Sequence, residues 1–209
     1  NGKLMLSSTL MYRGFIAYFD DRNRDAAQHF NDALAIRIEL ANEDGMEDLS
    51  LLADSFEWRG KALYFMGDTE TGLSDMQEAV DLRFKLIAAE QLEDLSALPK
   101  AIMWKGKMLF HLDREEEAAK EADSAIDMLL QLISQGLENL QAVLSDAYYD
   151  RAKACLYIGQ ADEVFYYLEN ACSRDPGVVE KVQSLDMFAN VVKDGRWAEI
   201  ASRYGNAGD

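Results

Sequence analysis

The chain has 209 residues, of which 49% are hydrophobic, and it carries a formal net charge of −17. This acidity argues against nucleic acid and anionic membrane surfaces as partners, because their phosphate groups would repel the protein. No apolar run reaches the roughly 18–20 residues that a membrane-spanning helix needs. The composition, with two prolines and few β-branched runs, predicts an all-α protein that is one domain or one continuous array.

The first residues, NGKLMLSST, contain neither an initiator Met nor a long apolar stretch. They indicate a trimmed or processed start, and we expect a cytoplasmic protein. The two cysteines, Cys155 and Cys172, lie in segments with a helical pattern and form no Cys-x-x-Cys motif. This arrangement predicts a reduced, buried pair, with a disulfide or a redox role as the alternative.

A small residue preceded by a basic one recurs along the chain at intervals of 46 residues. The copies are MYRGFIAYF with Gly14, EWRGKALYF with Gly60, MWKGKMLFH with Gly106 and YDRAKACLY with Ala152. Glycine inside a helix costs about 1 kcal/mol relative to alanine, so its repeated use needs a structural reason. A repeat of this length is typical of a solenoid.

The remainder of each copy predicts a helix, a short turn and a second helix. The turns are FDDRN, FMGDT, HLDRE and YIGQA, and a second small residue follows each first one by 19 positions, at Ala33, Ala79, Ala125 and Ala171. Side chains three and four residues apart share a helix face, so we expect the paired small residues to let the two helices approach closely. The predicted units cover about 5–50, 51–96, 97–142 and 143–178.

The sequence also predicts how the units end. The segments 82–96 and 128–141 are expected to extend the second helices, and Ser50 and Ser96 are expected to cap the following first helices. After Pro176 the period breaks. Residues 179–209 are expected to form a degenerate capping unit, with two short helices around Asp194-Gly195.

These features resemble the tetratricopeptide repeat family, and the Arg-Gly pairs look like a common bacterial subtype of it. Residues 145–178 match the family motif best, at Tyr148, Ala152, Gly159, Ala171 and Pro176. The resemblance implies a right-handed superhelical solenoid of αα-hairpins, with four repeats and the capping unit. The usual unit of the family has 34 residues rather than 46, so the groove shape of ordinary members cannot be carried over.

Sequence motifs for chemistry are absent. No phosphate-binding, dinucleotide-binding, nucleophile-elbow or His-Glu-x-x-His motif occurs, and the only histidines, His29 and His111, fall in different units. The stretch DRNRDAAQHFND lacks the glycine and the bidentate glutamate of a calcium loop. We therefore expect a protein that is not an enzyme and holds no cofactor or metal.

The resemblance implies that the first helices line a concave, partner-binding face. The four first-helix segments together carry +4, whereas the rest of the chain carries −21. The candidate partner-binding residues, taken at 46-residue steps along these helices, are Tyr12, Phe15, Tyr18, Trp58, Lys61, Tyr64, Trp104, Lys107, Phe110, Lys153 and Tyr157.

Two interpretations of these residues remain open. In one, the aromatic rings fill space between repeats, and Lys61 pairs with Glu57 one turn earlier. In the other, Trp58 and Trp104 anchor a peptide, while the lysines attract acidic side chains or a C-terminal carboxylate. The asparagines of the chaperone-binding members are absent, so binding of chaperone tails is not supported.

The basic residue before the glycine is expected to bridge to an acid 16 positions later, from Arg59 to Asp75 and from Lys105 to Glu121.

The expected function is that of a non-catalytic scaffold that binds a protein or peptide. The alternative is a regulatory sensor module of a larger protein, responding to a small molecule or signalling peptide. The oligomeric state is left open.

Overall fold

The computed structural model describes residues 2–42 and 49–205, and this part of the chain contains eleven α-helices and no strand. The prediction of an all-α protein is therefore confirmed. Within these residues no helix is both long and apolar enough to cross a membrane. The helices are α1 Gly2–Phe19, α2 Asn23–Asn42, α3 Ser50–Phe65, α4 Thr69–Ala88, α5 Ala97–His111, α6 Glu115–Ser134, α7 Gln141–Tyr157, α8 Glu163–Cys172, α9 Val178–Ser184, α10 Ala189–Val192 and α11 Gly195–Tyr204.

The chain divides into two compact units, Asn1–Asp113 and Arg114–Asp209. In the first unit each helix packs against the next one, from α1 through α5. In the second unit α6 packs on α7 and α7 on α8, while α8 also contacts α9 and α11. The division falls inside the predicted repeat 97–142, between its two helices.

The 46-residue period is visible in the backbone at the end of each first helix. Asp21, Gly67, Asp113 and Gly159 are each 46 residues apart, and all four have a positive φ, between 55° and 87°. A left-handed residue at this position ends a helix and turns the chain, which glycine does without strain and aspartate tolerates. The four predicted turns are thus formed by equivalent backbone conformations.

Gly14 and Gly60, which lie inside the first helices α1 and α3, mark places where helices touch. A Cβ atom added to Gly60 would lie 2.8 Å from the carbonyl oxygen of Gly72 on α4, and one added to Gly14 would lie 2.6 Å from Cδ1 of Phe30 on α2. The sequence had suggested that Gly60 packs against Ala79. The residue opposite Gly60 is instead Gly72. The four predicted alanines, Ala33, Ala79, Ala125 and Ala171, are fully buried in the core.

The predicted extension of the second helices is only partly correct. Helix α4 ends at Ala88 and α6 at Ser134, because Glu90 and Gly136, which are 46 residues apart, adopt positive φ values of 55° and 103°. The amide of Gln91 then bonds back to the carbonyl of Leu86 at 2.8 Å, a Schellman-type helix end. The remaining residues of both segments form the connection to the next helix.

The predicted serine caps are only partly correct. Ser50 is already the first residue of α3, whose N-cap is Leu49. Ser96 does occupy the N-cap of α5, but its hydroxyl donates to Asp94 Oδ1 at 2.6 Å and accepts from Lys100 Nζ at 2.7 Å. Its oxygen is therefore engaged elsewhere and does not accept from an α5 amide. Most of the first linker, residues 43–48, lies outside the described residues.

The end of the chain contains more helical segments than predicted. Helices α10 and α11 flank Asp194, as expected, and α9 and a 3-10 helix, Asp186–Phe188, precede them. Asp194 caps α11 by accepting from the amide of Arg196 at 2.9 Å. Phe188 and Trp197 are buried, and the ring centroid of Phe188 lies 5.8 Å from that of Tyr149 on α7. Its role as a capping unit stays a prediction.

Candidate functional site

Aromatic side chains from α1, α3 and α5 form a connected cluster in the first unit. The ring centroid of Tyr18 lies 5.4 Å from that of Trp58 and 5.8 Å from that of Phe65, and Phe65 lies 6.1 Å from Trp104. Most pairs meet edge to face, the geometry that aromatic quadrupoles favour. We call this cluster the aromatic surface; its members are Tyr18, Phe19, Trp58, Tyr64, Phe65 and Trp104.

The aromatic surface is held on one side by the core and open on the other. Trp58 contacts Phe15 at 4.9 Å and the fully buried Phe30 at 6.2 Å between ring centroids, so its position is fixed from below. Phe19 is 73% exposed and Phe65 is 52% exposed. Both lie at the ends of first helices, and neither was among the candidate residues, although the 46-residue step from Phe19 to Phe65 was a signal that could have found them.

The three candidate lysines each lie beside an aromatic ring or an acidic side chain. Lys61 is only 7% exposed, and its ammonium lies 4.3 Å from the ring centroid of Trp58 and 5.1 Å from that of Trp104. It also forms an ion pair with Glu57, as the structural interpretation expected. Lys107 lies 5.2 Å from the Trp104 ring centroid. Lys153 belongs to the second unit, where its Nζ lies 2.7 Å from Asp150 Oδ1.

A buried network of charges lies beneath Lys61. Arg83 on α4 pairs with Glu57 and with Asp54, the latter at 2.8 Å. Burial raises the pKa of Asp54. Burial acts in the same direction on Glu57, but Lys61 and Arg83 outweigh it and hold the pKa of Glu57 below its usual value. Arg83 was not among the candidate residues, although it lies 46 residues after Arg37, which is also buried.

The predicted bridge from Arg59 to Asp75 is confirmed. The guanidinium donates two hydrogen bonds of 2.7 Å to the two carboxylate oxygens and one of 2.8 Å to Asn31 Oδ1 on α2. Arg59 therefore ties its first helix both to its own second helix and to the preceding one. Lys105 and Glu121 lie in different compact units, and their bridge stays a prediction.

Three candidate residues, Tyr12, Phe110 and Tyr157, are not members of the aromatic surface. Tyr12 is exposed on α1 and contacts Phe15 edge to face at 6.3 Å. Phe110 is half-buried on α5. Tyr157 is exposed at the end of α7, in the second unit.

The two cysteines are buried, and His111 packs against an aromatic ring. Cys155 and Cys172 are free and buried, as predicted, and burial raises their pKa values to about 11 and about 12, which disfavours the nucleophilic thiolates. His111 contacts the ring of Tyr64 at 5.3 Å. Across residues 2–42 and 49–205, no group of three or more His, Cys, Asp or Glu side chains is placed to hold a metal ion.

Comparison with known proteins supports the all-α fold and identifies no function. No family model and no curated protein matches the chain. Among solved structures, BtubC (BKLC) from P. vanneervenii is similar, with a TM-score of 0.70 at 13% sequence identity. The match covers 97% of this chain and 79% of that one. At this identity the likeness shows an all-α helical fold alone.

Proposed function

We propose that the chain is a non-catalytic interaction module that binds a peptide or protein partner through the aromatic surface. In this proposal the hairpins are tetratricopeptide-like repeats, stacked as a right-handed superhelical solenoid of a cytoplasmic protein. The observation that carries it is the pair of exposed rings, Phe19 and Phe65, set among the half-buried rings of Trp58 and Trp104. Aromatic residues are enriched at interfaces and supply most hot spots.

The exposure and packing of the aromatic rings support this proposal. The exposed rings contact a rigid cluster, so little conformational entropy would be lost when a partner covers them. Exposed apolar patches of this kind mark interaction sites in soluble proteins. A few such anchors give an affinity of order micromolar, about −8 kcal/mol. The ammonium of Lys107 lies 5.2 Å from the ring centroid of Trp104. In this proposal the partner carries apolar side chains next to an acidic side chain or a C-terminal carboxylate.

The test is quantitative affinity capture with three forms of the protein. The double substitution Phe19→Ser/Phe65→Ser removes the two exposed anchors, and both sites are open enough for the fold to survive. Tyr166→Ser is the matched control, since Tyr166 is 60% exposed and lies in the second unit. We expect wild type and control to recover the same saturable partner, and the double variant to recover at least about tenfold less. Equal recovery by all three would refute the proposal.

A further inference from the structure

Lys61 contacts the indole rings of two successive first helices. Its ammonium lies 4.3 Å from the ring centroid of Trp58 on α3 and 5.1 Å from that of Trp104 on α5. An ammonium at such a distance is attracted by the quadrupole of an indole ring, and the attraction is strongest where water is excluded. Lys61 is buried, so it joins the aromatic residues of two repeats in a desolvated position.

One repeat earlier, an aromatic ring makes the same contact. Phe15 is the equivalent of Lys61, 46 residues before it, and its ring centroid lies 4.9 Å from that of Trp58. In both cases the tryptophan follows the contacting residue by 43 positions. This position of a first helix therefore supports the tryptophan of the following first helix, by a phenyl ring under Trp58 and by an ammonium beside Trp104.

The two tryptophans differ in their other aromatic contacts. Trp58 also meets the fully buried Phe30, with 6.2 Å between ring centroids. Within residues 2–42 and 49–205, the aromatic rings that meet Trp104 are those of Tyr64 at 6.2 Å and Phe65 at 6.1 Å. Both belong to α3, and neither is buried. The buried side chain of Lys61 thus takes the supporting place that buried rings occupy under Trp58.

Two further buried charges hold the ammonium. Lys61 forms an ion pair with Glu57, which also pairs with Arg83 on α4, and all three residues are buried. Burying charges costs desolvation free energy, and apolar residues often fill such positions without loss of stability. At the position of Glu57, the helices α1 and α5 carry Met11 and Met103. The fold therefore does not require a charge there, and the holding of Lys61 between the two indole rings accounts for it.

We propose that Lys61 is a positioning residue of the aromatic surface, which holds the indole ring of Trp104 in a fixed place beside Trp58. The inference rests on the proposed function and deepens it, because it explains what keeps the surface rigid before a partner binds. Rings that are fixed in advance lose less conformational entropy on binding. Lys61 acts through the tryptophans and, being buried, contacts no partner itself.

The test is fluorine-19 NMR of the intact chain labelled with 5-fluorotryptophan. The chain contains three tryptophans, and single Trp→Phe substitutions assign their resonances. In Lys61→Met we expect the resonance of Trp104 to broaden at least about twofold or to split, because the ring exchanges between positions. The resonance of Trp197, in the second unit, should be unchanged. Line width is the readout, since the loss of a charge alters the chemical shift even of a fixed ring.

Lys107→Met is the matched control. The ammonium of Lys107 lies 5.2 Å from the ring centroid of Trp104, nearly the same distance as that of Lys61. Lys107 is on α5 itself, three residues after Trp104, so its contact with this ring does not tie α5 to α3. We expect the resonance of Trp104 to stay narrow in this variant.

A second variant keeps the buried charges balanced. Lys61→Met leaves Glu57 paired with Arg83. Glu57→Met/Lys61→Met removes an acid and a base together, and Arg83 keeps Asp54 as its partner at 2.8 Å. The same broadening of the Trp104 resonance is expected in both variants, and circular dichroism confirms that each is folded.

Affinity capture separates this inference from the proposed function. Lys61→Met retains Phe19 and Phe65 and should recover at least about fivefold less of the partner that wild type recovers. If Phe19→Ser/Phe65→Ser recovers as much as wild type, the proposed function fails, while the line width still decides the role of Lys61. A Trp104 resonance as narrow in the folded Lys61→Met as in wild type, or equally broadened in Lys107→Met, would overturn the inference.

Discussion

Helices α1 and α3 occupy the same position in consecutive repeats, yet they use it differently. Ile16 and Leu6 on α1 are exposed, whereas their equivalents on α3, Ala62 and Leu52, are buried. At two further equivalent positions, α1 carries Met11 and Phe15, whereas α3 carries the charged pair Glu57 and Lys61. The repeat therefore sets where helices touch, through small residues and turns, while the neighbouring helices determine which face is covered.

The largest expected effect comes from adding a charge to the covered face of α3. Ala62 is fully buried, so Ala62→Glu places an unpaired carboxylate in a packed interior and should cost more than about 4 kcal/mol of unfolding free energy. Ile16→Glu, at the equivalent position of α1, should change stability by less than about 0.5 kcal/mol. Urea unfolding measures both. Similar losses of unfolding free energy at the two positions would show that both are packed to the same degree, which contradicts the account.

The charged pair of α3 should make the free energy of unfolding depend on pH. Glu57→Gln leaves Lys61 and Arg83 as buried cations without their shared partner and should cost about 3 kcal/mol at neutral pH. Because the pKa of Glu57 is lowered in the folded state, its contribution is present above its ordinary value of 4.5 and is lost as pH falls through the folded-state pKa. Urea unfolding from pH 7 to pH 3 should therefore show the two proteins converging in acid. A constant difference across this range would contradict the account.

The two hairpin glycines should respond differently to alanine. Gly60 faces the backbone carbonyl of Gly72, which cannot move without moving α4, so Gly60→Ala should cost about 2 kcal/mol. Gly14 faces the ring of Phe30, and the cost of Gly14→Ala should be reduced when Phe30→Leu is added. Thermal and urea unfolding of the single and double variants measure this coupling. Additive effects of Gly14→Ala and Phe30→Leu would argue against the contact.

The smallest effect in this comparison concerns the arginine before each glycine. Arg59→Met leaves the buried carboxylate of Asp75 without its bidentate partner and should cost about 1.5 kcal/mol. Arg13→Met removes a side chain that bonds to no other described residue and should be close to neutral. If Arg59→Met left stability unchanged and reduced partner binding, the structural role of the bridge would be refuted.

The sequence predicted what the repeat period controls and missed what depends on neighbours. Equal spacing located helices α1 to α8, the turns at Asp21, Gly67, Asp113 and Gly159, and the bridge from Arg59 to Asp75. It did not predict the end of α4, because Glu90 adopts a left-handed conformation at a residue type with no such preference. Nor did it predict the burial of Lys61 in a charge network, because Arg83 approaches from a different helix. The exposure of Leu6 and Ile16 on α1 depends on which helices pack against it, and no local sequence pattern records this.

The most direct test of the comparison is the labelling rate of single cysteines at the two equivalent positions. The native Cys155 and Cys172 are buried, with pKa values raised to about 11 and about 12, so their background labelling is slow. Under native conditions Ile16→Cys should react with a thiol reagent at least about 100-fold faster than Ala62→Cys, because labelling of the buried thiol requires an opening of the structure. Equal rates in two folded variants would contradict the claim that the same repeat position is open on α1 and closed on α3.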